Sequence, residues 1–336
     1  MKVLVVGAGA MGRNHLNGWL RAGVDEAAVA DVDEDRARGT AKEAGARTFF
    51  TDYREGIESF KPDAVSVCTP ANLHADVFEF SVKKGVHTLC EKPLALTLDQ
   101  GRRMVRAADR SELKLAIGLQ RRLSESILKI RGLLHAGTLG SPVVFSVENW
   151  AEVRFKLAMN DKNMNGGPIV DYAPHLIDLL HFFTGAQPKE VFSMGTVFAR
   201  GKEEVKPIKE LATDTLSTIV RYEGGNWLSL DISWGLPRGT KGTNSEAIHG
   251  PLGSIVGTPE LERGYHLQAQ GKPADEYEAV QGNLYDREIA AFKEWVLKGK
   301  TEHSLASVRD GFSALAVSVA ALKSVETGSV VKVEQP

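Results

Sequence analysis

Apolar residues fall in two rhythms along the chain. Through the first third, short runs that are apolar throughout (2–6, 27–31, 64–68, 86–90 and 113–118) alternate with stretches in which apolar positions recur every three or four residues (10–22, 33–44, 73–84, 97–110 and 124–135). A strand that is apolar on both faces needs cover on both, so these runs predict parallel strands between layers of helices. Strand–helix alternation of this kind predicts a doubly wound α/β domain. Near residue 120 the rhythm changes, and 142–155, 190–199, 213–222 and 226–234 read as long strands with alternating positions. The last two flank Glu223-Gly224-Gly225, a compact hairpin signal, so this second sheet is predicted to be at least partly antiparallel. Helices at about 167–184, 283–298 and 305–327 are expected to cover one of its faces, leaving the other to a partner or to water. The predicted fold class is therefore α/β plus α+β: a doubly wound sheet over residues 1–121, then an open-faced, largely antiparallel sheet domain over 122–336.

The composition narrows what such a chain can do. Of 336 residues, 43% are hydrophobic and 25% charged, enough to build a core without disulfide or metal staples. Lysines and arginines number 41 against 43 acidic residues, a net charge of −2. That leaves no positive excess to hold phosphate backbones or anionic lipid, so neither nucleic acid nor a membrane surface is an expected partner. Cys68 and Cys90 each sit inside an apolar run, as buried free thiols of a reducing compartment do. The apolar start breaks at Gly7 after five residues, too soon for a signal segment, and no stretch approaches the roughly 20 apolar residues of a membrane span. A cytoplasmic protein is expected.

Gly7-Ala8-Gly9-Ala10-Met11-Gly12 is a G-x-G-x-x-G placed where a strand ends and a helix opens. In that context the first glycine allows a tight turn and the second lets backbone approach a pyrophosphate. The third lets helix and strand pack closely, with free helix N–H groups facing the phosphates. Asp31 ends the next strand, 19 residues beyond Gly12, where a carboxylate accepts both ribose hydroxyls and repels a 2′-phosphate. The following residue is Val32, with no Arg or Ser–Arg pair alongside, which favours NAD over NADP. Two alternatives stand: Asp33 is the ribose ligand, or Asp31 only caps the following helix. Arg13 adds positive charge near the phosphates, which keeps NADP in view.

Two further segments carry chemistry. Cys90-Glu91-Lys92-Pro93 follows a strand directly and puts a lysine at the carboxyl edge of the sheet, where open α/β folds bind ligands. In the helical stretch around Asp171, His175 lies about 40° and Asp178 about 20° from the Asp171 direction at 100° per residue. Three ionisable groups on one stripe of an apolar helix cost several kcal/mol to bury unless they have partners or a purpose. Pro174 either bends that helix or falls in its first turn, in which case Asp171 is a possible N-cap.

Together with Cys68-Thr69-Pro70, Asn72, His74, Asp214-Thr215, the stretch 230–234 and His249-Gly250 before Gly253-Ser254, these elements resemble the Gfo/Idh/MocA oxidoreductases over essentially the whole chain. The resemblance implies a Rossmann domain followed by an open-faced β-sheet domain whose free face is buried in a homodimer or homotetramer. It implies NAD(P)-dependent oxidation of a secondary hydroxyl on a sugar, polyol or cyclitol. Lys92, Asp171 and His175 match the family's catalytic trio, although position 173, commonly glycine there, is alanine. His175, with an ordinary pKa near 6.5, suits the general base, Lys92 the stabilisation of developing alkoxide, and Asp171 the orientation of the hydroxyl. Lys92 as base is the second choice.

Thr69, Pro70, Asn72, His74 and Glu91 join the candidate cofactor contacts, with His74 read equally as a helix cap. Trp150 and Trp234 are candidates to stack on a sugar ring or to fill a core or interface. Asn163, in the polar run Asn160-Asp161-Lys162-Asn163, is a candidate sugar ligand or part of a solvated loop. His15, His87, His135, His181, His266 and His303 show no metal-ligand spacing, and no metal is expected. Two other functions compete: a glycosidase acting by transient oxidation and elimination with retained NAD, and a non-catalytic dinucleotide sensor, which has no need of the lysine and histidine.

Overall fold

In the computed structural model, which describes residues 1–280, 282–300 and 304–336, the apolar runs of the first third form β1 (Lys2–Val6), β2 (Glu26–Ala30), β3 (Thr48–Phe50), β4 (Ala64–Val67), β5 (His87–Cys90) and β6 (Leu115–Ile117). His303 lies outside the described residues. The strands pair in parallel in the order β3-β2-β1-β4-β5-β6, two halves wound outward from a switch point between β1 and β4. Helices α1 (Ala10–Arg21) and α2 (Glu34–Ala44), the single turn α3 (Tyr53–Glu55), and helices α4 (His74–Lys83) and α5 (Leu98–Asp109) connect them. Val3, Leu4 and Val5 are fully buried, as a strand covered on both faces requires. β3, absent from the sequence reading, is a three-residue edge strand whose side chains are only half buried.

The chain continues through α6 (Glu125–His135), β7 (Val144–Glu152), α7 (Pro168–Asp171), α8 (Ala173–Thr184), β8 (Pro188–Thr196), β9 (Thr215–Tyr222) and β10 (Trp227–Leu236). Four more strands follow, β11 (Thr243–Gly250), β12 (Gly253–Gly257), β13 (Gly264–Ala269) and β14 (Asp275–Glu278), then α9 (Leu284–Lys298), α10 (Val308–Thr327) and β15 (Val331–Lys332). Among the described residues, nine strands make the second sheet, in the order β14-β13-β12-β11-β7-β10-β9-β8-β15. Among the described residues, only β7 and β10 pair in parallel, and every other neighbour is antiparallel. The β9–β10 hairpin closes over Glu223–Gly225 as predicted, with Trp227 opposite Arg221.

Alternation decides which side chains of this sheet go inward. Phe145 of β7 meets Phe183 of α8 edge-on at 6.3 Å between ring centres, and the Tyr222 hydroxyl donates to the Ile177 carbonyl at 3.0 Å. The backbone N–H of Ser193 donates to Ser324 Oγ of α10 at 2.9 Å. On the opposite face Phe192, Met194, Ile219 and Trp227 are exposed.

Two compact units result: Met1–Leu123 with Asn283–Phe312 and Pro336, and Ser124–Gly282 with Ser313–Gln335. The helix expected over 283–298 therefore does not cover the second sheet. It packs on α1, with Phe292 edge-on to Trp19 at 6.3 Å and Asp286 paired to Arg21 at 2.6 Å. Gly18 leaves room there for Ile289, whose Cδ1 would lie 2.5 Å from a Cβ at that position. Among the described residues, no helix is long and apolar enough to cross a membrane.

Candidate active site

The glycine loop does what its spacing demands. Gly7 has φ +101°, and a Cβ there would sit 2.6 Å from the Cys68 carbonyl oxygen; at Gly12 it would sit 1.7 Å from the Gly7 oxygen. At Gly9 a Cβ would meet nothing within 4 Å. The backbone there faces open space, as a group approaching the loop requires. Gly9 is the N-cap of α1 and offers no side chain, and the first turn holds no acidic residue. No side chain caps the helix start, an arrangement that suits an anion.

Asp31 closes the loop from below. Its Oδ2 accepts the Ala8 N–H at 2.8 Å and its Oδ1 the Asp33 N–H at 3.0 Å. The cap of α2 is Asp33, which accepts the Arg36 N–H at 3.0 Å, and that hydrogen bond holds the Asp33 carboxyl below its usual range. Asp31 is thus not the cap. Arg36, five residues beyond Asp31, bonds Asp33 at 2.9 Å and lies 3.4 Å from Asp31. A basic group does stand beside Asp31, brought by one helical turn rather than by the adjacent residue, and two carboxylates already share it.

At the carboxyl edge of β4, Thr69 Oγ1 and Asn72 Oδ1 are buried without a hydrogen-bond partner among the described residues. Two orphaned acceptors beside an uncapped helix start fit a polar dinucleotide laid over the strand ends. His74 is neither a cap nor exposed. Its ring is buried, with Nδ1 2.8 Å from the Pro93 carbonyl and Nε2 2.9 Å from that of Thr69, so it ties one strand-end loop to the next. Burial pulls its imidazole below the ordinary range, against two carbonyls that favour a protonated ring. Pro70 is exposed in the same loop, Ala10 is exposed and Met11 half buried at the start of α1. Lys92 is half buried, joined to Pro93 by a cis peptide, and its N–H donates to Glu91 Oε2 at 3.1 Å.

In the second unit, Gly166 (φ +75°) and Gly167 (φ +79°) turn the chain into α7; a Cβ on Gly167 would press on Ala212 at 2.8 Å. Pro168 occupies the first turn of α7 and Pro174 that of α8, and the break between the two helices falls at Tyr172, φ −104°. The single stripe expected from Asp171 to Asp178 is therefore interrupted. Asp171 ends α7, while His175 and Asp178 share one face of α8 a turn apart, and all three are buried. The Asp171 Oδ1 accepts from Asn165 Nδ2 at 3.4 Å. Arg154 lies over the Trp234 ring at 4.4 Å; burial pulls its guanidinium down, opposed by the nearby Asp171 charge.

Neither Asn165 nor Arg154 is visible in the sequence as a neighbour of Asp171, because a loop and a strand end bring them there. Trp234 is buried, with Arg154 against one of its faces, and Trp150 is half buried on β7. Asn163 is exposed, its N–H donated to Asp161 Oδ1 at 2.7 Å; Asn160 instead holds the loop through the Arg154 carbonyl at 2.9 Å.

Comparison with known proteins matches family models to two consecutive stretches of the chain. Residues 1–119 match the model of an oxidoreductase family with an NAD-binding Rossmann fold, and residues 131–333 that of the same family's C-terminal α/β domain. The chain is 28% identical to a myo-inositol 2-dehydrogenase of Thermotoga maritima, over 100% of this chain and 99% of that one. It is 30% identical to an inositol 2-dehydrogenase of Saccharopolyspora erythraea, over 99% and 96%. Levoglucosan dehydrogenase in complex with NADH and levoglucosan shares the fold, with a TM-score of 0.88 at 19% identity and full coverage of both chains. With both family models matched along nearly its entire length, the chain belongs to the Gfo/Idh/MocA oxidoreductases.

Proposed function

We propose that this protein is an NAD-dependent dehydrogenase that oxidises a secondary hydroxyl of a sugar, cyclitol or related polyol. What carries the reading is a combination. The chain matches inositol dehydrogenases end to end, and it keeps a lysine at a strand end, an uncapped glycine loop and a buried aspartate–histidine pair. Dinucleotide binding is assigned to the 1–121 part of the chain and substrate binding to the 122–336 part.

NAD, when bound, supplies the hydride acceptor. The start of α1 would hold the pyrophosphate over Gly9, and Asp31 the adenosine ribose. A 2′-phosphate would have to displace Arg36 from two carboxylates and lie against Asp31, which supports NAD over NADP. Thr69 Oγ1 and Asn72 Oδ1 supply polar contacts farther along. Lys92 Nζ donates to the reacting oxygen and stabilises negative charge as it forms. The His175 imidazole takes the hydroxyl proton, and Asp171 orients the hydroxyl.

The reading extends to assembly and place. Phe192 stands opposite Ile219 on the outward face of the second sheet, with Met194 and Trp227 also exposed, an apolar surface suited to a second copy of the chain in a homodimer or homotetramer. Two cysteines, both free and buried, suit the cytoplasm.

The test is NADH formation across sugars, inositols, sugar acids and glycosides, repeated with Lys92→Ala and His175→Ala. Each variant is expected to lose on the order of a hundredfold or more in kcat with NAD affinity little changed. Near-normal turnover in both variants ends the catalytic assignment. Turnover of a glycoside without net NADH would favour elimination chemistry instead.

A further inference from the structure

Behind the strand end that carries Lys92 lies a chain of buried polar groups that the proposed reaction leaves unused. His15, on the sheet-facing side of α1, is fully buried. Its Nε2 lies 2.9 Å from Glu91 Oε1 and its Nδ1 3.2 Å from Ser66 Oγ. Trp19 Nε1 donates to the same Ser66 oxygen at 2.8 Å, and the other Glu91 oxygen accepts the Lys92 N–H.

An indole nitrogen only donates, so Ser66 receives the Trp19 proton and can pass its own to Nδ1. The His15 proton then resides on Nε2 and points at Glu91. Burial opposes ionisation of Glu91, yet its carboxyl stays below the usual range, and the bond from His15 is the largest effect on that side. The space is closed as well: a Cβ on Gly118 would lie 3.2 Å from both Glu91 Oε2 and Glu91 Cα.

Neither nucleophilic chemistry nor plain packing accounts for these groups. Serine, histidine and glutamate in a row suggest a nucleophile, yet Ser66 is fully buried at mid-strand and out of reach of a substrate. As packing alone, the set is costly, since an aliphatic residue at position 15 fills the stripe beside Leu16 and Trp19 without desolvating an imidazole and a carboxylate. What the arrangement achieves is linkage: α1 opens at the glycine loop, and Glu91 adjoins the lysine.

We propose that His15 is a positioning residue for Lys92. Through Glu91 it fixes the strand end that presents the lysine to the helix whose start receives the dinucleotide. The proposal rests on the role given to Lys92 above.

Its test needs no substrate. Competitive acetylation, read at Lys92 by mass spectrometry, is compared in wild type, His15→Leu and His15→Gln, with melting temperatures as the check on folding. His15→Leu is expected to change the Lys92 labelling rate by about threefold or more. On a substrate found by the screen it lowers kcat roughly 10- to 100-fold with KM values moved about threefold or less. His15→Gln keeps an N–H donor of similar reach and restores both to within about threefold of wild type. Glu91→Leu removes the acceptor of the same bond and gives the same shift even if His15→Leu fails to fold. An unchanged Lys92 rate in folded His15→Leu or Glu91→Leu, or equal effects of leucine and glutamine at position 15, overturns the proposal. Full turnover by Lys92→Ala while the labelling still responds to His15 removes the catalytic role of the lysine and leaves its positioning standing.

Discussion

Asp31 shows how one carboxylate serves two ends. It braces the glycine loop through the Ala8 N–H, and it is the carboxylate proposed to hold the adenosine ribose. Asp31→Ala is expected to weaken NAD about tenfold or more and to bring NADP closer to parity, because the anion that repels the 2′-phosphate is gone while Arg36 remains. Titrating both nucleotides by protein fluorescence checks this; an unchanged NAD:NADP ratio assigns discrimination elsewhere. Glu288 yields a prediction of a different kind. Buried, and near the charge of Glu91, its carboxyl is pushed well above the usual range. A carboxyl whose pKa is raised by folding holds its proton more tightly in the native state, so stability falls as pH rises above the unfolded value. Glu288→Gln is expected to raise the melting temperature at pH 8 more than at pH 5, and an equal gain at both would show that the carboxyl is not perturbed. At this scale the sequence was legible where local spacing sets the backbone, as with the close approaches at Gly7 and Gly12. It was silent on His15, whose partners Ser66 and Glu91 lie 51 and 76 residues away.

Elements were legible in kind more than in place. A period of three to four residues announces a helix and the face it will bury, but not the surface it buries against. That is why 283–298 reads as a helix yet was expected on the wrong sheet. Its apolar face meets Trp19 because Gly18 leaves a gap for Ile289, and a glycine gap has no periodic signature. Phe292→Ala is expected to cost about 3–5 kcal/mol, the usual range for a fully buried phenylalanine, with the tryptophan emission shifted to the red in the native baseline. Urea unfolding measures the first; a loss below about 1 kcal/mol would mean that α9 contributes little to the first unit. The helix pair α7–α8 teaches a related lesson. Pro168 and Pro174 each start a turn, and together they split a stripe that a single helical wheel draws as continuous.

For the whole chain, the doubly wound class followed from uninterrupted apolar strands, and the hairpin of the second sheet from its glycines. β11 to β14 were not read as strands. Their exposed edge residues, as in Asp275–Glu278, break the apolar alternation that marks a half-buried strand. The exposed face of β8 to β10 makes association the whole-molecule prediction. Light scattering at micromolar concentration is expected to give a multiple of the 36.5 kDa chain, and Ile219→Asp to shift it toward the single chain. A 36.5 kDa particle for the wild type removes the proposed assembly.

The discontinuity of the first unit has a price in time. Its last large segment, Asn283–Phe312, is synthesised some 160 residues after Leu123, and a ribosome adding about 5–20 residues per second leaves Trp19 without Phe292 for roughly 14 to 55 s. During that interval the nascent nucleotide-binding half carries a bare apolar stripe, a natural target for chaperones. A chain ended between Leu123 and α9 keeps every glycine of its loop but lacks Phe292, the ring that meets Trp19.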